Sequence, residues 1–360
     1  MYKSFEVRNF RCFKHLVISH LERINLIAGK NNVGKTALLE ALFIHCGAYN
    51  PELTMRINTF RGIETIKIEL GKWAETPWNS LFSKFNTSNS IELIGEDTIS
   101  GRRLLKLRVI RQPSELVKIQ QFIKHNSDEF KGVISSSEVA QVLELKYKED
   151  KQEGSFYMII DKNGIRTEPI PPSPPFPGFF QAARMRISLK EQAERFGKLE
   201  VHGKQDILLE ILKIIEPRLK RLAMVVVAGE PILHGDIGIG RLIPLPVMGE
   251  GMVRLADLVL HIGNAPKGVV LIDEIENGIH HSIMPKVWKA IGKAARNFDT
   301  QVFATTHSLE CIIAAHKAFE ESDVYDFQLY RLERINETTK AVSYDQQDLT
   351  TAIGEGFEVR

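Results

Sequence analysis

Residues 29–36 read Gly-Lys-Asn-Asn-Val-Gly-Lys-Thr and fit the pattern G-x-x-x-x-G-K-[ST] without a mismatch. An apolar segment, INLIA at 24–28, precedes them, and TALLEAL at 36–42 follows with helical spacing. In a phosphate-binding loop of this order, backbone amides and the positive end of the helix face an anion. A glycine-rich turn before a helix by chance is the alternative. It is disfavoured because strand, loop, lysine and helix all stand in order.

The loop predicts an ATP site with Mg²⁺ as cofactor. Lys35 is expected to reach the β and γ phosphates, and Thr36 to hold the metal. The residues of this segment that we expect to bind the nucleotide are Gly29, Asn31, Asn32, Gly34, Lys35, Thr36 and Ala37.

A second apolar run, VVLI at 269–272, ends in the acids Asp273 and Glu274. A strand covered on both faces that delivers a carboxylate at its C-terminal end is typical of sites in doubly wound sheets. We predict that Asp273 binds Mg²⁺, directly or through water, and that Glu274 activates the attacking water as general base. Taken alone, the pair could be a solvated acidic turn, but the phosphate loop upstream favours the catalytic interpretation.

A third apolar run, QVFAT at 301–305, precedes Thr306, His307 and Ser308. His307 lies 33 residues after Glu274, a separation that fits one strand–helix–strand crossover. We therefore expect His307 beside Glu274, where a neutral imidazole could donate a hydrogen bond to the γ-phosphate. The predicted catalytic residues are thus Glu274, His307 and Lys35. A helix-capping turn with a bystander histidine is the alternative.

The composition is that of an ordinary globular protein, with 43% hydrophobic and 26% charged residues among 360 and a net charge of +2. This charge gives no electrostatic argument for nucleic acid by itself. The three cysteines, at 12, 46 and 311, are too few and too scattered for a disulfide framework or a zinc site. The N-terminus lacks the apolar core of a signal peptide, and no apolar run reaches the roughly 18 residues of a membrane span. We predict a cytoplasmic protein without membrane contact.

Six of the 15 prolines fall within residues 169–178, PIPPSPPFPG, which predicts an extended connector. Apolar patterns predict strands at 64–70, 91–94 and 103–110, helices at 205–219 and 282–295, and a hairpin from 327–332 and 341–344 before a short final helix.

Three elements together resemble the ABC-type ATPases of the SMC and RecF group: the phosphate loop, LIDEIENGIHHS at 271–282, and ATTHS at 304–308. The opening VRNFRCF at 7–13, the stretch YRLERINETTKAVSYDQQDL at 330–349 and the terminal GFEVR are similar to the ATPase part of OLD-family proteins and their stand-alone relatives. The resemblance covers about residues 1–60 and 225–360.

The resemblance implies an α/β fold, a P-loop head of the ABC type with a mixed sheet and helices. Residues 1–60 and 225–360 would form this head, and residues 61–224 an inserted lobe of helices and strands that includes the connector. SMC proteins carry long coiled coils at the place of this insertion. This chain has no heptads to build one, which favours a compact RecF- or OLD-like head.

The resemblance also implies a signature segment, for which LPVMGEGM at 245–252 is the candidate, with Gly249, Glu250 and Gly251 binding the nucleotide held by another subunit. The chain would then form a homodimer or higher oligomer with composite ATP sites. Val247 and Met248 stand where the family has a serine, and a simple helix-opening turn is the alternative. The loop 276–280 would couple the two sites. The Mg²⁺-sensing glutamine of the family stays unassigned, with Gln181 as a candidate.

Three functions remain open. The chain could switch an effector, such as a Toprim-type nuclease supplied in trans, in anti-phage defence. It could be a DNA-repair ATPase acting on ends or gaps, or a nucleotide-controlled scaffold with little turnover. Nucleic-acid contact is possible at three basic segments, which could equally be solvated faces: 102–111, 184–198 and 218–221. About 55 residues follow position 305, too few for a nuclease domain of roughly 100 residues, so we predict no intrinsic nuclease.

Overall fold

The computed structural model describes residues 1–62, 76–126, 141–150, 152–161, 164–183 and 187–360. The strands are β1 (Tyr2–Phe10), β2 (Phe13–Ser19), β3 (Ile24–Ala28), β4 (Ile91–Asp97), β5 (Gly101–Ile110), β6 (Gln141–Lys148), β7 (Glu153–Asp161), β8 (Gly164–Glu168), β9 (Gly178–Gln181), β10 (Arg221–Val227), β11 (Glu230–Asp236), β12 (Leu242–Pro244), β13 (Val269–Ile272), β14 (Gln301–Thr305), β15 (Phe327–Ile335) and β16 (Thr338–Tyr344). The helices are α1 (Lys35–Cys46), α2 (Leu53–Phe60), α3 (Pro113–Asn126), α4 (Leu189–Val201), α5 (Gln205–Leu212), α6 (Glu250–Gly263), α7 (Met284–Phe298), α8 (Leu309–Glu320) and α9 (Gln346–Gly354).

A six-stranded mixed sheet carries the three segments singled out in the sequence, in the order β16-β15-β3-β14-β13-β9. Neighbours from β15 to β9 are parallel, and only β16 runs antiparallel to its partner. All residues of β3, β13 and β14 are buried, which explains their continuous apolar runs. The carboxyl ends of these three parallel strands therefore meet at one edge, and the predicted α/β fold with a mixed sheet is confirmed.

Alternate side chains of these strands enter two different cores. Val270 and Ile272 pack with α5, α6, α7 and α8 on one face, whereas Val269 and Leu271 pack with α1 on the other. Helix α1 is mostly apolar, and its residues from Ala37 to Cys46, including Glu40 and His45, are all buried. A helix of this kind needs cover on every side. It lies between the six-stranded sheet and a seven-stranded antiparallel sheet of order β2-β1-β4-β5-β6-β7-β8.

The segment predicted as an insertion shares both sheets with the predicted head. Strands β4 to β8 extend the sheet begun by β1 and β2, and the proline-rich connector leads directly into β9, which pairs with β13. A third sheet, β10-β11-β12, precedes α6. The division of the chain at residues 60 and 225 stays a prediction.

Most predicted elements are present, with shifted ends. The helix predicted at 205–219 ends at Leu212, because Pro217 lacks an amide hydrogen and its ring would clash with a helical carbonyl four residues before it. The helix predicted at 282–295 runs from Met284 to Phe298. The strand predicted at 64–70 lies outside the described residues. Each described helix is too short or too polar to cross a membrane.

Candidate nucleotide site

Two glycines shape the phosphate loop between β3 and α1. Gly29 and Gly34 have φ values of +140° and +109°, which side chains other than glycine rarely adopt. A Cβ at Gly29 would lie 2.6 Å from the carbonyl oxygen of Leu332, and one at Gly34 would lie 2.6 Å from Sγ of Cys12. Both positions therefore require glycine for backbone conformation and for space.

The Lys35 ammonium folds back over this loop. Its Nζ donates to the carbonyl oxygens of Gly29, at 2.6 Å, and of Lys30, at 3.1 Å. Burial lowers the pKa of Lys35, and nearby carboxylates, of which Glu276 acts most strongly, oppose this shift. A cation held by loop carbonyls at the start of α1 is placed to meet phosphate oxygens.

Asp273 is joined to the phosphate loop by hydroxyl groups. Thr36 Oγ1 lies 3.1 Å from both carboxylate oxygens of Asp273, although 237 residues separate the two in sequence. Thr305, at the end of β14, donates to Oδ1 at 2.7 Å. Burial raises the pKa of the Asp273 carboxyl, while the two threonine hydrogen bonds act in the opposite direction. The structure thus brings the two predicted Mg²⁺ ligands together.

This pair fits Mg²⁺ by its chemistry. Mg²⁺ prefers oxygen ligands and is usually held by one or two carboxylates together with water and substrate phosphates. A hydroxyl and a carboxylate beside a phosphate loop supply such ligands. No group of three or more His, Cys, Asp or Glu side chains that could hold a metal ion occurs in the part of the chain that the structure describes.

Glu274 adopts a left-handed backbone conformation, with φ of +48°. For a non-glycine residue this costs about 1–3 kcal/mol and is found mainly where the surroundings enforce it. The surroundings here are Thr305 Oγ1, which accepts from the Glu274 amide at 2.8 Å, and Asn277 Nδ2, which donates to its carboxylate at 2.8 Å. The predicted base is therefore held at the strand end in a strained, hydrogen-bonded turn.

His307 contacts a different acid from the one expected. Strands β13 and β14 are parallel neighbours, as the crossover spacing predicts. However, His307 Nδ1 lies 3.1 Å from Oε1 of Glu276, and its backbone amide donates to the same oxygen at 2.9 Å. The side-chain partner of His307 is thus Glu276, and a place for the histidine beside Glu274 at the neighbouring strand end stays a prediction. The catalytic role of His307 stays a prediction.

Two arginines and a buried acid beside the loop were not foreseen. Glu40 has a fully buried side chain on α1, and it accepts from Arg11 Nε at 2.8 Å and from Arg61 Nη2 at 3.1 Å. Two guanidinium groups share one carboxylate, so a net positive charge faces the cleft. The acid in TALLEAL and the arginine in VRNFRCF were the available signals. The cleft measures about 610 Å³ and is lined by Arg11, Cys12, Asn31, Asn32, Gly34, Lys35, Thr36, Ala37, Arg61, Ser80, Phe82, Lys84, Phe85, Asp273 and Glu274.

The signature candidate opens helix α6. Gly249 caps the helix with φ of +115°, and a Cβ added there would meet nothing within 4 Å. A Cβ at Gly251 would lie 2.9 Å from Cδ1 of Ile283, and one at Gly278 would lie 3.1 Å from Oε1 of Glu250. Val247 is 73% exposed. Gly249, Glu250 and Gly251 are not among the described residues that line the cleft of their own chain.

Gln181 lies beside Asp273, one of the predicted Mg²⁺ ligands, but it lines a separate cleft of about 220 Å³ and is not among the described residues that line the nucleotide cleft. It ends β9 in register with Ile272, and its carbonyl accepts from the Asp273 amide at 2.9 Å. The side chain is only 3% exposed, yet neither its amide oxygen nor its nitrogen has a hydrogen-bond partner among the described residues. A buried amide without a partner is costly and points to a ligand-directed role.

Several cations of the basic segments pair with acids within the chain. Lys106 lies 3.3 Å from Glu92 on the outer face of the seven-stranded sheet, where Arg108 also pairs with Glu144. Arg195 is buried over the ring of Phe179 at 4.5 Å. Arg184 and Arg186 lie outside the described residues. Nucleic-acid contact stays a prediction.

Comparison with known proteins gives one family and several relatives. A family described as "AAA domain, putative AbiEii toxin, Type IV TA system" matches residues 80–312. An "ATP/GTP phosphatase" of Helicobacter pylori is 24% identical over 353 residues, which cover 90% of each chain. An uncharacterised protein of Methanocaldococcus jannaschii is 42% identical over 48 residues, 13% of this chain and 22% of that protein.

Among solved structures, an SMC head bound to the C-terminal winged-helix domain of ScpA is similar in fold, with a TM-score of 0.50 and 12% identity. The match covers 97% of this chain and 99% of that one. The likeness supports the ABC-type head architecture over almost the whole chain.

Proposed function

The chain belongs to the AAA-domain family described as "putative AbiEii toxin, Type IV TA system", and from this premise we propose that it works as a nucleotide-switched dimer that controls a partner effector. It is a P-loop ATPase with an ABC-type α/β fold. The observation that carries the proposal is the junction of Thr36, Asp273 and Thr305, which ties the phosphate loop to the two strand ends that bear the catalytic candidates.

In the proposed hydrolysis, Lys35 and the loop amides bind the β and γ phosphates of ATP. Thr36 and Asp273 hold Mg²⁺, which supplies charge neutralisation when it is bound, and the unpartnered amide of Gln181 is the candidate for its sensing glutamine. Glu274 takes the proton of the attacking water, and His307 donates to the γ-phosphate oxygen.

The proposed dimer places the Gly249 region of one subunit over the nucleotide bound by the other. Two features support it: the open space around Gly249 and the absence of Gly249 from the described residues that line the cleft of its own chain. Backbone amides at the start of α6 then provide an anion site although no serine precedes the glycines. Assembly would follow the nucleotide state, because each site is complete only when ATP and both subunits are present.

We take the effector to be a separate protein of the toxin or Toprim nuclease kind, acting in anti-phage defence as in the OLD-like systems that the sequence resembles. The toxin–antitoxin description of the family supports a regulated harmful activity in the same pathway. A DNA-repair ATPase would instead be stimulated by DNA ends or gaps. A scaffold would bind ATP and turn over little.

The test measures phosphate release by the purified chain with Mg²⁺, with and without linear or gapped DNA, beside Glu274→Gln. The proposal expects hydrolysis that needs Glu274 and does not depend on DNA. Strong stimulation by DNA ends would favour the repair function, and ATP binding without turnover would favour the scaffold. Incubation with plasmid DNA and Mg²⁺ or Mn²⁺ should show no cleavage. Cleavage lost in acid-to-alanine variants of this chain would contradict the requirement for a separate nuclease.

A further inference from the structure

One carboxylate organises the turn that carries His307. Oε1 of Glu276 accepts from the hydroxyl of Thr306 at 2.8 Å and from the backbone amide of His307 at 2.9 Å, and it lies 3.1 Å from Nδ1 of the same histidine. The Glu276 side chain is 13% exposed, whereas that of His307 is 52% exposed. A largely buried acid thus fixes both the backbone and the ring of a residue that reaches towards solvent.

The second oxygen of this carboxylate is unusual. Oε2 of Glu276 is buried and has no hydrogen-bond partner among the described residues. Of the carboxylates that act on the Lys35 ammonium, Glu276 acts more strongly than Asp273 or Glu274. The carboxylate that contacts the histidine therefore also acts electrostatically on the phosphate-loop lysine. A buried carboxylate with an unpaired oxygen is unfavourable for folding. Its presence here therefore points to a role other than stability.

We propose that Glu276 is a positioning residue for ATP hydrolysis, which orients His307 through its Nδ1 edge and sets the charge between that imidazole and Lys35. The inference rests on the proposed function, because it assumes that His307 acts on the γ-phosphate. With Nδ1 directed at Glu276, the ring is left with Nε2 as its free edge. A partner that fixes one ring nitrogen decides which nitrogen is available for chemistry.

If Glu276 had only a structural role, its variants would behave differently. Glu276 could serve only to stabilise the turn before α8, in which Thr306 Oγ1 also accepts from the Ser308 amide at 3.1 Å. Glu276→Gln separates the two roles, since its amide oxygen still accepts from Thr306 and the His307 amide while the negative charge is lost. Under the structural role this variant behaves like wild type. Under the positioning role it hydrolyses ATP more slowly.

The experiment compares wild type, Glu276→Gln and a control, Glu310→Gln, which neutralises an exposed acid three residues after His307. We expect Glu276→Gln to lower kcat about 10–100-fold, the range seen when partners of functional histidines are removed. Affinity for a non-hydrolysable ATP analogue should be unchanged or higher, because a negative charge near the triphosphate is removed. Glu310→Gln should match wild type in both measurements.

The double variant Glu276→Gln/His307→Ala shows whether the loss of kcat in Glu276→Gln arises through His307. If it does, Glu276→Gln causes little further loss once His307 is absent. Equal losses in both backgrounds would overturn the inference, and so would a wild-type kcat in Glu276→Gln. A wild-type kcat in Glu276→Gln, together with unfolding at a clearly lower temperature than Glu310→Gln, would assign Glu276 to the turn alone. Absence of hydrolysis in wild type would instead refute the proposed function.

Discussion

The phosphate loop and the signature segment are both glycine-led helix starts, but they are built in opposite ways. A Cβ at Gly34 would collide with Cys12 and Phe13 at 2.6 Å, whereas one at Gly249 would meet nothing within 4 Å. Gly34 leads into α1, which is enclosed between two sheets, while Val247 beside Gly249 is 73% exposed. The first glycine is required by packing within the chain. The second leaves free space that a second molecule can use.

The largest effect on nucleotide binding is expected at the phosphate loop, the helix start that is enclosed within the chain. Lys35→Ala removes the ammonium that meets the β and γ phosphates and should abolish nucleotide binding. Affinity for a fluorescent ATP analogue, measured at protein concentrations where the chain is monomeric, tests this directly. Wild-type affinity would show that the phosphate loop does not bind ATP, and the contrast between the two helix starts would lose its functional meaning.

Glu274→Gln should keep binding and lose chemistry. The amide preserves the shape and can still accept from Asn277, but it cannot act as a base, a role worth about 10²–10⁴ in rate. The variant should accumulate as an ATP-bound dimer, detectable by light scattering. Turnover equal to wild type would mean that another group activates the water.

The segments of the enclosed site that the sequence singled out lie together in the structure, and each could be recognised because its pattern is local. Strand β3, the loop and α1 are contiguous, and Asp273 and Glu274 follow a buried run. Contacts across long separations were missed. Glu40 gains Arg11 and Arg61 only when the chain folds back. His307 gains Glu276 as its partner only through the pairing of β13 with β14, which are separated by a whole helix in sequence.

Strand β9 shows the same limit. The four residues Gly178–Gln181 at the end of a proline-rich stretch gave no periodicity by which to recognise an edge strand, so only the family resemblance, and no sequence pattern, made Gln181 a candidate near Asp273. Parallel pairing joins residues that are distant in sequence, and its register is set by the whole sheet. The connector was foreseen, but the strand to which it leads was not.

The proposed role of the signature segment at the start of α6 is tested by Gly249→Asp. The new carboxylate enters free space in its own subunit, at a positive φ of +115° that strains the backbone of any side-chain-bearing residue, and it would face the phosphates held by a partner, so hydrolysis should fall on the order of 10²-fold. Nucleotide binding by the single chain should remain. Specific activity of wild type should also rise with concentration until the dimer saturates, and a flat rate in a monomeric sample would contradict shared sites.

A mixture of two inactive variants is the control for Gly249→Asp. Lys35→Ala and Gly249→Asp are each expected to be inactive, yet a mixed dimer contains one site with both Lys35 and Gly249 intact. Random pairing at equal amounts should restore about a quarter of the wild-type rate per chain. Two inactive proteins that stay inactive together, although a pull-down shows that they pair, would rule out a composite site.

The smallest effect is expected at Gln181, on the border of the enclosed site. Its buried amide has no partner among the described residues, whereas Gln301 on β14, also buried, donates from Nε2 to the Tyr2 carbonyl at 3.0 Å and accepts from the Tyr2 amide at 2.7 Å. Gln181→Met should therefore raise the free energy of unfolding by about 1–2 kcal/mol, because an unpaired buried polar group is replaced by an apolar one of similar size.

Gln301→Met is the matched change and should lower the free energy of unfolding by about 1–3 kcal/mol, since it leaves the Tyr2 backbone groups unpaired. If Gln181 serves Mg²⁺, its variant should also need about tenfold more Mg²⁺ for half-maximal hydrolysis. A stabilised protein with an altered Mg²⁺ requirement would show that this amide is kept for its ligand at a cost to folding. Destabilisation of Gln181→Met would show instead that the amide is paired, and an unchanged Mg²⁺ requirement would remove Gln181 from the site.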